Sequence, residues 1–167
     1  QILRQQRRFA EAIVQLQDLT TDACMKGLSD TDPWRPEALA NLSQAQLDSG
    51  DTATAGTTAQ QALAYGRKAL SGRYQLGFPL FAMARVALAL KRAGEAEPLL
   101  REALALRSAV HPADDPRILE VKVGLINALT ALKKNEEASA LRNEIEPLLK
   151  ASPSSYAVEL RQRLAAG

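Results

Sequence analysis

Four alanines, Ala12, Ala55, Ala96 and Ala138, stand 43, 41 and 42 residues apart. Three of them follow a glutamate, at Glu11, Glu95 and Glu137, and each opens a run with helical spacing. The clearest run is Glu95-Ala96-Glu97-Pro98-Leu99-Leu100-Arg101-Glu102-Ala103-Leu104. A period near forty, filled with helix-forming residues, constrains the chain more than any other feature: each unit is a helix hairpin that buries its apolar face only by stacking on the next. The expected fold is all-α, a right-handed superhelical stack of antiparallel helix pairs.

Composition supports this. Of the 167 residues 46% are hydrophobic and only 4% aromatic, so strong helix formers dominate and strand formers are scarce. Twenty-one basic and 19 acidic residues are well mixed, for a net charge of +2. That is a solvated surface rather than a nucleic-acid footprint. The single cysteine, Cys24, excludes an intrachain disulfide and fits a reducing, cytoplasmic compartment. No apolar run approaches the roughly 20 residues of a membrane span. No signal peptide is visible. Gln1 already falls within a helical pattern, so residues 1–167 read as a single helical-repeat domain taken from a longer protein. It would comprise roughly three repeats, a leading half-repeat and a C-terminal capping helix.

Turn-rich stretches at 27–33, 71–79, 110–116 and 151–155 separate the pairs, and shorter breaks at 49–51, 93–95 and 133–135 fold each pair into a hairpin. Asp32-Pro33, Asp115-Pro116 and Ser152-Pro153 each read as an N-cap followed by proline at the first helical position. Helices are expected over 2–26, 34–49, 52–70, 78–92, 95–109, 116–133, 136–150 and 153–165. In the fifth, Leu99, Leu100, Ala103, Leu104 and Leu106 form the apolar stripe, and Arg101, Glu102 and Arg107 point outward. In the last, Ala157, Leu160 and Leu164 face inward while Glu159, Arg161, Gln162 and Arg163 cover the other face.

These residues resemble a tetratricopeptide repeat, in the form of about 42 residues found in kinesin light chains and many bacterial signalling proteins. The resemblance is best from Leu39 to Leu149. Ala55, Ala96 and Ala138 fill one small-residue position, and Ala62, Ala103 and Ile145 the next. Leu39-Ala40-Asn41-Leu42 matches the first-helix pattern, with looser copies at 80–83 and 122–125, and the loop holding His111-Pro112 and Asp115-Pro116 resembles the family linker. The resemblance implies that the first helix of each pair lines a groove for a protein or peptide. In relatives a first-helix asparagine can bond the backbone of a bound extended peptide; Asn41 keeps it, while Ala82 and Gly124 occupy the matching positions. The Lys, Asn and Arg set that some relatives use to clamp a C-terminal carboxylate is missing.

The expected groove residues are Asn41, Gln44, Phe81, Arg85, Val123 and Asn127, with small residues leaving room and Phe81 serving as an apolar anchor or as packing between helices. No catalytic, cofactor-binding or metal-binding residue is expected. His111, Asp114 and Asp115 make too weak a ligand set, and Cys24 reads as a buried helix cysteine. The sequon Asn41-Leu42-Ser43 falls within a helix. Glycines form no phosphate-cradling loop, and no kinase string exists. The cluster Arg4, Arg7 and Arg8 reads as a solvated face, and Trp34 as a partner anchor or a plug between repeats. The implied function is a protein- or peptide-binding scaffold, not an enzyme, within a larger intracellular, bacterial signalling protein. The alternative is a ligand-sensing or self-association module that regulates an attached kinase or transcription factor. Neither nucleic acid nor membrane is an expected partner; a second copy of the chain is a possible one.

Overall fold

The structure, a computed structural model, describes residues 9–20 and 32–165. Cys24 and the Arg4, Arg7 and Arg8 cluster lie outside the described residues. The described residues form eight α-helices and no strand: α1 (Phe9–Thr20), α2 (Trp34–Asp48), α3 (Thr52–Ala69), α4 (Gly77–Ala89), α5 (Ala93–Ser108), α6 (Pro116–Ala131), α7 (Asn135–Ala151) and α8 (Ser155–Ala165). One 3-10 turn, Tyr74–Leu76, leads into α4. Helices α2 and α3, α4 and α5, and α6 and α7 pack as antiparallel pairs, and each pair stacks on the next. Helix α1 packs on α2, and α8 packs on α6 and α7 where the first helix of a further pair would dock. Among the described residues no helix is long and apolar enough to cross a membrane.

The hairpin turns repeat as the sequence does. Gly50, Lys91 and Lys133 all have positive φ, of 94°, 61° and 61°. Their N–H groups donate to Leu47, Leu88 and Thr130, and those of the next residues reach back to Gln46, Ala87 and Leu129. This left-handed termination satisfies the last carbonyls of each first helix and reverses the chain within three residues. Gly50 adopts it freely, whereas the two lysines meet a steric cost at Cβ.

Helix starts follow the expected caps, with one correction. The Asp32 carboxylate accepts the N–H of Trp34 at 2.9 Å, and that of Asp115 accepts the N–H of Arg117 at 2.8 Å. Helix α8 is capped by Ser154, whose Oγ accepts the N–H of Ala157 at 3.1 Å, and not by Ser152. Ser152 precedes Pro153, and the proline ring forces it into an extended conformation that ends α7.

Asp115 also takes two bonds from the Arg117 guanidinium, at 2.9 and 2.7 Å. That side chain, together with the cap, holds the Asp115 carboxyl down at about 2, against the opposing effect of burial. A depressed carboxylate stabilises the fold above its unfolded pKa and loses that contribution as pH falls through its folded one. Lowering the pH from about 4 to about 2 should therefore remove stability through this residue, by less than the whole shift because the Arg117 partner is exposed and the pair is screened, and Asp115→Asn should flatten that part of the pH–stability curve measured by urea denaturation.

The repeat alanines lie in the core. Ala12, Ala55, Ala96 and Ala138 are all buried, as are Ala62, Ala103 and Ile145 at the second small position. One core runs from α4 through α8, and a second joins α2 and α3 to α4. Ser43, buried in α2, links the first pair internally by donating to the Ala55 carbonyl at 2.8 Å. Ala96 has no exposed surface, so Ala96→Leu should overpack the contact and cost ~1–3 kcal/mol, read as a lower urea midpoint.

Candidate functional site

The first helices converge on one open cavity of about 380 Å³. It is lined by Leu47 of α2, Thr52 of α3, Phe81, Arg85 and Leu88 of α4, Val123 and Asn127 of α6, and Arg163 of α8. Four of the six expected groove residues, Phe81, Arg85, Val123 and Asn127, therefore line one space. Gln44 is buried beside it, with Oε1 accepting from Arg85 Nη1 at 3.4 Å. Asn41 is half-buried one turn earlier on α2 and does not line the cavity.

Of the small residues expected to leave room, Gly124 lines the cavity, whereas Ala40 and Ala82 are packed away from it. Ala40 and Ala82 are fully buried. At Gly124 a Cβ would come within 3.0 Å of Leu100 Cδ2 and 3.6 Å of Phe81 Cε2, so the glycine lets α6 approach α5 and the Phe81 ring. Phe81 itself is 1% exposed. It shows the cavity little more than a ring edge, so its substitution would change stability as well as the groove.

Two arginines depart from their expected positions, and both departures shape the site. Arg107, expected to point outward, is 0% exposed. Counting along α5, Ala96, Leu100, Ala103 and Arg107 fall on one helical stripe, so position outweighs residue type. Nη1 of Arg107 donates to Glu120 Oε1 and to the Arg117 carbonyl, each at 2.7 Å, and Nη2 donates to the Gly77 carbonyl at 3.1 Å. The guanidinium lies 4.6 Å from the Phe78 ring centre and 5.3 Å from that of Phe81. Tyr156 of α8 donates its hydroxyl to the other Glu120 oxygen. This network holds α4, α5, α6 and α8 together beneath the groove.

Arg163, expected on the outer face of the last helix, points into the groove, its side chain 24% exposed. Tyr156, Leu160 and Arg163 make a stripe at helical spacing that faces α6. Its Nη2 lies 2.5 Å from Glu159 Oε1 and 3.9 Å from Asp48 Oδ1. Asp48 also accepts from Arg85 Nη2 at 2.7 Å. Asn127 Nδ2 donates to the Arg163 carbonyl at 3.3 Å, while Asn127 Oδ1 is buried with no partner among the described residues. Sequence reasoning missed Asp48, Glu120 and Arg163 as groove groups.

The second helices carry a different surface. Arg101 of α5 bonds Glu97 on its own helix at 2.8 Å and Glu137 of α7 at 2.6 Å; Lys134 reaches Glu97 at 2.7 Å, and Arg67 of α3 pairs with Glu102. These charges bridge neighbouring pairs and satisfy one another, each exposed pair being worth little individually. Trp34 is 56% exposed at the start of α2. His111 packs edge-on against Tyr74 with ring centres 5.3 Å apart, and its Nδ1 lies 3.8 Å from the Asp115 oxygen already held by Arg117. No group of three His, Cys, Asp or Glu able to hold a metal occurs among the described residues.

No family model matches the chain, and no curated protein matches its sequence. Solved structures do. A Podosopora anserina chain described as a kinesin light chain with nearly identical TPR-like repeats superposes with a TM-score of 0.69 at 21% identity, covering 98% of this chain and 89% of that one. A point variant of the same repeats gives a TM-score of 0.72 at 21% identity, covering 98% and 79%. The fold is thus that of a TPR-like helical repeat array.

Proposed function

We propose that the chain is a protein- or peptide-binding repeat scaffold and that the groove along its first helices is the binding surface. The carrying observation is that side chains from α2, α4, α6 and α8 line one cavity. Leu47, Leu88 and Val123 supply an apolar lining, and Arg85 and Asn127 supply groups that can meet a peptide backbone or side chain. The opposite face offers ion pairs already closed on themselves. On this reading the chain is a single domain of a larger cytoplasmic protein and performs no reaction of its own. Its repeats resemble those of bacterial signalling proteins, in which it would recruit a substrate or partner. A second reading, ligand sensing for an attached kinase or transcription factor, draws on the cavity volume, which is within the range of small-molecule sites.

The test uses an array of 12-residue peptides of random sequence. Binders are titrated against the intact chain, against Ala89→Arg, which fills the groove from an exposed wall position, and against Ala105→Arg on the exposed face of α5. Both substitutions keep strong helix formers. The reading expects Ala89→Arg to weaken binding at least tenfold with Ala105→Arg unchanged; the reverse pattern would move the site to the second helices.

A further inference from the structure

We propose that the Arg163 side chain is a gate on the groove: it projects into the cavity in the resting chain and must swing away from Asp48 for a bound segment to occupy the space it fills. The proposal rests on the groove reading. Three observations carry it. The contact joins the first helix of the first pair to the last helix, because Asp48 is the last residue of α2 and Arg163 lies near the end of α8. Second, the α8 backbone is anchored independently of this side chain. Ala157, Leu160 and Leu164 are buried, Asn127 donates to the Arg163 carbonyl, and Arg142 donates to the Leu164 carbonyl at 3.2 Å. The guanidinium can therefore leave the groove without the helix leaving the stack.

The third observation is electrostatic. Arg163 and Arg85 share one Asp48 oxygen, at 3.9 and 2.7 Å. Burial of the guanidinium, followed by the like charge of Arg85, disfavours its charged form, and Glu159 and Asp48 act in the opposite sense, with Tyr156 adding to them. Glu159 is four residues back on the same helix and can follow Arg163 outward, so Asp48 is the carboxylate across the groove that holds it inward.

Phenylglyoxal labelling of arginines, read residue by residue by mass spectrometry, tests the gate without any partner. Asp48→Asn should raise the labelling rate of Arg163 several-fold while Arg107, buried in the core, stays protected and reports an intact fold. Taking the wild-type chain from low salt to about 1 M sodium chloride, where screening acts within ~3 Å, should raise it in the same direction without a substitution. An Arg163 rate unchanged in both comparisons overturns the gate. The groove-binding peptides of the array supply the second arm: with the gate removed, Arg163→Ala should bind them about threefold tighter or more, since the open fraction no longer limits affinity. Equal or weaker binding would make Arg163 a bystander or a direct contact and would also overturn the proposal. If no peptide binds the groove, the scaffold reading fails, while the labelling arm still decides the gate.

Discussion

Arg107→Ala is expected to lower the stability of the chain by about 3–5 kcal/mol, the cost of breaking a buried ion pair and leaving one charge behind. The stranded group is Glu120, which would keep only the Tyr156 hydroxyl. The Gly77 and Arg117 carbonyls would lose their donor as well. These contacts tie α4 and α6 to α5, so the loss should appear as a lower urea midpoint for the whole stack rather than as fraying of α8. The double variant Arg107→Met with Glu120→Gln should cost less than Arg107→Ala alone, because it removes the uncompensated charge and restores volume. If Arg107→Ala left the midpoint unchanged, the buried position of this side chain would be wrong.

Phe81→Ala is expected to cost about 3–5 kcal/mol by opening a cavity beneath the groove. The ring packs on Gly124 and beneath the Arg107 guanidinium, so no neighbour is placed to fill the space. Combined with Arg107→Ala its effect should fall short of the sum, since the two side chains touch and each single change already disrupts the other's contact. The measurement is the same denaturation series. A cost below about 1 kcal/mol would mark Phe81 as a surface anchor rather than a core residue.

Much of this architecture was legible because it is local. Repeat spacing, caps at Asp32 and Asp115 and small residues at Ala55, Ala96 and Ala138 are properties of neighbouring residues, and helix geometry converts them into hairpins. The groove was legible in part: Phe81, Arg85, Val123 and Asn127 meet because equivalent positions of stacked repeats must. What failed was assignment by residue type. Arg107 and Arg163 were placed outward as charged residues, although both sit on apolar stripes by helical count. Nothing local indicates that a carboxylate at Glu120 neutralises the first or that Asp48 meets the second. Small size at Gly124 and Ala82 does not by itself distinguish a residue that lines the cavity, as Gly124 does, from one packed in the core, as Ala82 is.

The most direct test of the central claim is a methyl-resolved NMR titration of the intact chain with a 12-residue peptide selected from the array. The account predicts that the largest shifts fall on Leu47, Leu88 and Val123, which line the groove, with Leu99 of α5 and Leu141 of α7 unmoved. Shifts confined to Leu99 and Leu141, or to Val14 and Leu19 on the exposed face of α1, would contradict it.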